Sequence, residues 1–227
     1  MEHEVIGTVM PHVEIRLVSG ESVYTEKGGM AWMDDGIAMD TSARGGVSGA
    51  LKRVFSQESI FLTSYTCTAP AANVAFTSNA PGTILPLELN DGKVVIAQKG
   101  AFLTAADSVD LTVHFQRRMR AAFFGGEGFI LQKLTGPGLA LFEIGGEVAE
   151  YSLTDGQTMK VDPGHVALFE PSVDFSIERV KGIKNMFLGG EGLFLATLTG
   201  PGRVWLQTMP LTGLAAAINR LLPRRRN

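Results

Sequence analysis

The sequence predicts an all-β protein made of three repeated modules followed by one short helix, and three observations lead there. The fourteen residues Gly125–Gly138 return at Gly189–Gly202 with ten identities at an offset of 64, and a worn copy lies at Gln57–Ala69. Repetition at this spacing marks a chain built from one duplicated unit. Glycine is abundant, at 27, and falls where tight turns are needed. Val13, Ile15 and Leu17 alternate with Glu14 and Arg16, the period of a half-buried strand.

In chain order, the strand ending near Leu17 runs into Ser19-Gly20-Glu21, and Val23-Tyr24 starts the next strand, which Gly28-Gly29 breaks. The pattern recurs as Asp91-Gly92-Lys93 with Gly100, and as Asp155-Gly156-Gln157 with Gly164. The two glycines are eight residues apart in all three, room for a turn, a short strand and a turn. Asp-Gly supplies the positive φ of a tight hairpin turn. The second glycine and the Glu of the main phrase also keep a near-constant separation. They stand at Gly100 and Glu127 in the second unit and at Gly164 and Glu191 in the third, an identical interval, and at Gly28 and Glu58 in the first, slightly further apart. Phe129–Thr135 and Leu193–Thr199 read as strands apolar on both faces, which implies burial on both faces, or at an interface. Gly136-Pro137-Gly138 and Gly200-Pro201-Gly202 read as turns, with Leu139–Ile144 and Arg203–Thr208 returning as hairpin partners. The modules are thus placed at residues 1–72, 73–145 and 146–210, with an amphipathic helix and basic tail at 211–227, the modules packing as one body.

A basic-then-apolar segment precedes each main phrase. These segments are a glycine-rich loop at Ser42–Gly49 with a helical turn over Ala50–Phe55, then Arg117–Phe124, then Lys181–Leu188. They read as solvated loops entering a core strand, or as a set of basic edges facing a polyanion or lipid headgroups.

The C-terminus has its own pattern. Leu214, Ile218, Leu221 and Leu222 fall on one helical face, Thr212 is placed to cap, Pro223 ends the helix, and Arg224, Arg225 and Arg226 follow. Such a helix docks on its own protein or a neighbouring subunit, or it lies on an anionic membrane surface. These seven residues, the four apolar ones and the three arginines, are the candidate contact residues.

Composition excludes several classes. Net charge is −3, but residues 214–227 hold four arginines and no acid, leaving 16 basic against 23 acidic side chains, a net of −7, in residues 1–213. An acidic body is a poor nucleic-acid binder. Cys67 is the sole cysteine, in an apolar strand, so it reads as a buried structural thiol in a reducing compartment. No secretory signal and no apolar run of membrane-spanning length is read, so a cytoplasmic location is expected, with contact to the inner membrane face. His3, His12, His114 and His165 are not spaced as metal ligands, and no phosphate loop, nucleophile elbow or dinucleotide fingerprint occurs. Glu127 and Glu191 sit at equivalent repeat positions, where a shared structural demand explains them more simply than acid–base chemistry. No catalytic residue, cofactor or metal is predicted.

With the repeats laid out, the chain resembles the mitochondrial-biogenesis (altered inheritance of mitochondria) family and its bacterial relatives. The residues that carry this are Met33-Asp34-Asp35-Gly36-Ile37, the segment Gly45–Arg53 leading to Glu58-Ser59-Ile60-Phe61-Leu62, the two Gly-Glu-Gly…Thr-Gly-Pro-Gly phrases and Trp205-Leu206-Gln207-Thr208. The resemblance implies three β-sandwich-like modules similar to the tryptophan RNA-binding attenuation protein, arranged about a pseudo-threefold axis, with no family catalytic residues. The expected function is a non-enzymatic scaffold or assembly protein, peripheral to a membrane, forming a homo-oligomer of which a trimer is one closed form. The alternative is a small-ligand-binding or RNA-binding module, by fold analogy alone.

Overall fold

A computed structural model describes residues 1–26, 28–42, 62–117, 128–179 and 194–222. The described residues form nineteen strands: β1 (Glu2–Ile6), β2 (His12–Val18), β3 (Ser22–Glu26), β4 (Met30–Met33), β5 (Ile37–Ser42), β6 (Leu62–Cys67), β7 (Ala71–Thr77), β8 (Gly82–Leu89), β9 (Val94–Gln98), β10 (Phe102–Ala106), β11 (Asp110–Arg117), β12 (Phe129–Thr135), β13 (Gly138–Gly145), β14 (Val148–Leu153), β15 (Thr158–Val161), β16 (Val166–Phe169), β17 (Asp174–Arg179), β18 (Phe194–Thr199) and β19 (Gly202–Gln207). One α-helix, α1 (Leu211–Leu221), follows them. Among the described residues the protein is all-β apart from this helix and two single turns of 3-10 helix, Lys99–Ala101 and Pro163–His165. The loop expected at 42–49, the helical turn at 50–55 and the basic segments 117–124 and 181–188 lie, but for their first residues Ser42 and Arg117, outside the described residues.

The chain packs as two units. The first comprises Met1–Lys93, Phe102–Asp110 and Leu134–Glu143. It holds a four-stranded sheet, β1-β2-β7-β4, and a six-stranded sheet, β5-β6-β3-β10-β13-β8. One apolar cluster joins them: Val13, Ile15 and Leu17 of β2 and Val74 and Phe76 of β7 meet Tyr65 of β6 and Leu141 of β13. The alternation read in β2 is present, with Val13, Ile15 and Leu17 buried and Arg16 and Val18 exposed. Each such buried aliphatic stabilises by about 1.5–3 kcal/mol relative to exposure. The thiol of Cys67 is buried in this cluster and donates to the Ala69 carbonyl at 3.2 Å.

The second unit comprises Val94–Ala101, Leu111–Lys133 and Ile144–Asn227. It pairs the six-stranded sheet β11-β12-β9-β16-β19-β14 with the three-stranded sheet β15-β18-β17. Phe129, Leu131, Phe169 and Val204 of the larger sheet pack with Ile177, Ala196 and Leu198 of the smaller.

The three glycine turns are real but are not hairpins. Val18 O accepts from Glu21 N, Asn90 O from Lys93 N, and Thr154 O from Gln157 N, at 2.9–3.0 Å. Gly20, Gly92 and Gly156 have φ of 83°, 69° and 71°, and among the described residues no other type of residue has positive φ. Only the second central residue is therefore left-handed, the signature of a type II turn. Hairpins favour turns with a left-handed first residue, because type II geometry splays the strands apart. Accordingly β2 and β3 lie in different sheets, as do β14 and β15. Asp-Gly was a correct signal for the turn and a wrong one for the pairing.

The Thr-Gly-Pro-Gly phrases likewise close no hairpin: β18 and β19 lie in different sheets, and so do β12 and β13. The first glycine of each phrase sits against a glycine turn. Gly136 N donates to Lys93 O and Gly200 N to Gln157 O, both at 2.9 Å. A Cβ at Gly136 would collide with Asn90 O and stand 2.6 Å from Leu89 O, and one at Gly200 would collide with Thr154 O. The repeated glycines are thus required by close backbone approach.

Burial on both faces holds for β12, where Phe129, Ile130, Leu131 and Gln132 are all buried. It does not hold for β18, which buries Ala196 and Leu198 while Leu195 and Thr197 stay half-buried. The three-stranded sheet containing β18 has one covered face among the described residues.

Glu143, near the end of β13 in the first unit, is a carboxylate whose proton affinity folding changes. Its Oε2 accepts from Asn79 N at 2.7 Å and its Oε1 from Asn79 Nδ2 at 2.9 Å, pinning the β7–β8 connection. Burial raises its pKa above the ordinary 4.5, and the Asn79 hydrogen bonds offset part of the rise. The folded chain therefore holds this proton more tightly than the unfolded chain. The resulting stability is present below the ordinary value and is lost as pH rises through the raised folded value. Urea unfolding of wild type and Glu143→Gln across that window should show wild type gaining on the variant as pH falls. Parallel curves would remove this assignment.

Candidate interaction site at the C-terminal helix

The described motif residues Asp34, Gly36, Gln207 and Thr208 build structure. Asp34 Oδ2 accepts from Asn73 N at 2.8 Å and from Asn73 Nδ2 at 3.0 Å. A Cβ at Gly36 would stand 2.6 Å from the Ala69 Cβ, so the turn after β4 needs glycine. Gln207 is a clamp: its Oε1 accepts from Gly145 N at 3.0 Å, its Nε2 donates to Gly164 O at 2.7 Å, and its carbonyl accepts from His165 Nδ1 at 2.7 Å. Thr208 Oγ1 accepts from Glu147 N at 2.8 Å. Together they fasten the start of β14 and the 3-10 turn Pro163–His165 to the end of β19.

A second polar group lies on β19. Arg203 Nε and Nη2 donate to Glu170 Oε1 at 3.2 and 3.1 Å, its guanidinium lies 5.0 Å from the Trp205 ring centroid, and Trp205 Nε1 donates to Glu150 Oε2 at 3.0 Å. Both carboxylates face the same guanidinium and no nucleophile joins them, so the group is a cross-strand ion-pair network of the kind that sheets carry on a solvated face.

His12 packs on Trp32 with ring centroids 4.9 Å apart, and His165 is held by Gln207. Among the described residues no three His, Cys, Asp or Glu side chains are grouped to hold a metal ion. Glu127 and Glu191, the carboxylates assigned above to a structural demand shared by the repeats, lie outside the described residues.

The predicted contact helix forms. Pro210 precedes it in extended geometry, its carbonyl accepting from Gly213 N at 2.9 Å and Leu214 N at 3.2 Å. Thr212 is therefore inside the first turn, and the expected Thr212 cap is replaced by Pro210, which makes no side-chain cap bond. Proline is tolerated at this position because the N–H it lacks would have no partner within the helix. At the other end Leu222 is extended (φ −76°, ψ 140°), as a residue before proline prefers, and it stops the helix one residue ahead of Pro223.

The apolar face is not covered. Leu211 is 55% exposed, Ile218 50%, Leu221 86% and Leu222 58%. Leu214 alone is half-buried. Leu214, Ile218 and Leu221 are thus brought onto one face of α1, with Leu211 joining them, a residue the sequence pattern did not pick out; Leu222, expected on the same face, is instead the extended residue that follows the helix. The exposure of Leu211 follows from its place in the first turn, on the same side as Leu214 and Ile218. Arg224, Arg225 and Arg226 lie outside the described residues. Among the described residues no helix is long and apolar enough to cross a membrane.

Comparison with known proteins places this architecture. The chain is 31% identical over 224 residues to the uncharacterized protein M6_Spy0233 of Streptococcus pyogenes serotype M6, covering 96% of this chain and 89% of that protein. It is similar to the crystal structure of protein SPYM3_0169 from Streptococcus pyogenes, with a TM-score of 0.79 and 28% identity, covering 97% of this chain and 99% of the other. The model of the mitochondrial biogenesis AIM24 family matches residues 3–209, reaching every strand described above and none of α1. The chain belongs to the mitochondrial biogenesis AIM24 family.

Proposed function

We propose that the chain is a non-enzymatic assembly protein that attaches peripherally to an anionic membrane surface through α1. The observation that supports this is the uncovered apolar face: Leu211, Ile218 and Leu221 on one short helix, and Leu222 directly after it, are all half or more exposed. Large apolar side chains left exposed together on a folded protein mark an interaction surface. The sequence continues from that face into Arg224-Arg225-Arg226. Basic residues at an anionic surface contribute about 1 kcal/mol each, and each large aliphatic buried contributes about 1.5–3 kcal/mol. One copy therefore binds weakly and reversibly, and several copies on one face bind by avidity.

A small-ligand or RNA-binding module is the alternative. It rests on fold analogy, and the −7 charge of residues 1–213 opposes the RNA form.

Flotation with vesicles tests the membrane reading. The full chain should float with vesicles containing phosphatidylserine at low salt, and sediment with phosphatidylcholine alone. A chain ending at Gly213, and the variant Ile218→Glu, should stay in the lower fractions. Equal recovery of full and truncated chains would sink the proposal.

A further inference from the structure

The two six-stranded sheets share one construction. Each joins a set of three strands to a second set of three by a single ladder: β5-β6-β3 to β10-β13-β8, and β11-β12-β9 to β16-β19-β14. In the first, Tyr24 of β3 faces Ala105 of β10; in the second, Ile96 of β9 faces Phe169 of β16. Tyr24 and Ile96 stand at the same offset as the turn glycines Gly20 and Gly92. Ala105 and Phe169 stand at the same offset as Glu127 and Glu191 of the main phrases. The joining strands also bulge at matching places, between Phe102 and Thr104 in β10 and between Val166 and Leu168 in β16.

Two three-strand sets have no such partner among the described residues. In one, β2-β7-β4, the outer strand β4 corresponds to β10 at the Gly20-to-Gly92 offset and carries the matching bulge, between Met30 and Trp32. In the other, β15-β18-β17, the outer strand β15 corresponds to β9 at the Glu127-to-Glu191 offset. The burial differs as an unfilled ladder requires. Thr104 and Leu168 are fully buried, whereas their counterpart Trp32 is 49% exposed. Ala105 and Phe169 are buried, whereas their counterpart Met33 is 37% exposed. On the other side Tyr24 and Ile96 are buried, and their counterpart Lys160 is exposed. An open edge carrying Trp32 and Met33 presents unpaired backbone and apolar side chains together, which proteins ordinarily avoid unless the edge is used.

We infer that β4 of one copy pairs antiparallel with β15 of a second copy of this chain, setting Met33 opposite Lys160 and Trp32 opposite Val161. The register is the one both six-stranded sheets already use, carried forward by the two offsets. Val161 covers the exposed side of Trp32. The Lys160 stem lies along Met33 while its ammonium stays in water. Each copy offers one β4 and one β15, so the contact is heterologous; it closes into a ring where the rotation permits and otherwise extends. This pairing stands on the strands and is independent of the membrane role of α1.

Two single-cysteine variants test both the pairing and its register. Residues directly opposite in an antiparallel ladder have Cα atoms about 4.5–5.5 Å apart, within reach of a disulfide. Native Cys67 is buried and does not compete. Full-length Met33→Cys mixed with full-length Lys160→Cys should give a covalent dimer on mild oxidation. Its yield should be about tenfold above that of Met33→Cys mixed with Tyr151→Cys, an exposed position on β14 outside the ladder. Native mass spectrometry should show wild type as an oligomer and Trp32→Lys shifted to monomer. The inference is overturned if the mixture gives no dimer above the control or if wild type is monomeric at the concentration of the cross-linking. It is also overturned if a chain carrying both cysteines yields an internally linked monomer alone, which would assign the pairing to one chain.

Discussion

Gly200→Ala should destabilise the protein by about 3 kcal/mol, while Gly100→Ala changes stability by no more than about 0.5 kcal/mol. The contrast follows from what a methyl group would meet. At Gly200 it would collide with Thr154 O and stand 2.7 Å from Leu153 Cβ, and the first of these is backbone held in a turn. That turn is bonded on both sides, through Gln157 N to Thr154 O and Gly200 N to Gln157 O. Relief requires the turn to move, which lengthens those bonds. At Gly100 nothing lies within 4 Å and the backbone is not left-handed, so alanine meets open space. Gly156, in the turn itself, has space as well but a φ of 71°, so alanine there costs about 1–2 kcal/mol through the backbone alone. The expected order of urea midpoints is Gly100→Ala, then Gly156→Ala, then Gly200→Ala. A Gly200→Ala midpoint equal to that of Gly100→Ala would show that the approach of phrase to turn is not a tight one.

These glycines also show how far the sequence could be read. The spacing Gly92, Gly100 and Gly156, Gly164 located the strand β9 and the strand β15 with the 3-10 turn after it, because eight residues leave room for little else. Positive φ at Gly20, Gly92 and Gly156 was equally legible, since turn chemistry is local. Which strands then pair was not, because Asp-Gly serves both a hairpin and a type II turn between sheets. The choice depends on the φ of Ser19, Asp91 and Asp155, which stay out of the left-handed region. The same holds for Thr-Gly-Pro-Gly: the phrase announces a reversal, and only the facing turn, contributed from far earlier in the chain, explains the first glycine. Long-range register is where one-dimensional patterns run out.

The candidate contact helix was legible for a different reason. Its apolar positions repeat at helical spacing, and Pro223 marks its end, so its existence needed only local rules. Whether Leu214, Ile218, Leu221 and Leu222 would be covered by the rest of the chain is a tertiary question that periodicity cannot decide. Likewise Gln207 was noted within Trp205-Leu206-Gln207-Thr208, but its clamp on Gly145, Gly164 and His165 joins positions 42 to 62 residues apart. Its signal was a glutamine two residues after a tryptophan in an otherwise strand-like run, a polar residue where a side chain must find buried partners.

The largest single loss is expected at Phe129, in the main repeated phrase itself. Its ring is fully buried and stacks on Phe175 with centroids 5.5 Å apart and planes 11° from parallel. Phe175 stacks in turn on Phe169 at 5.4 Å and 12°, and Phe115 meets it edge-on at 5.8 Å. One ring from β17 is thus held among three from the facing sheet, and that column fixes the two sheets of the second unit together. Phe129→Ala removes the buried ring and leaves a cavity in a cluster that cannot collapse without moving β17, for a cost of about 3–5 kcal/mol. Phe129→Leu keeps most of the apolar volume and loses the stack, so about 1–1.5 kcal/mol is expected. A cycle of Phe129→Leu, Phe175→Leu and the double variant should return a coupling of about 0.5–1.5 kcal/mol. Against a total stability of order 5–15 kcal/mol, the alanine variant alone removes a third or more in the typical case. If Phe129→Ala unfolds within about 1 kcal/mol of wild type, the column does not hold the sheets. The apolar residue after Gly-Glu-Gly would then need a role other than packing. If the loss appears and the coupling is present, the phrase is explained from its two ends: Phe129 anchors the strand in the aromatic column, and Gly136 admits the neighbouring turn.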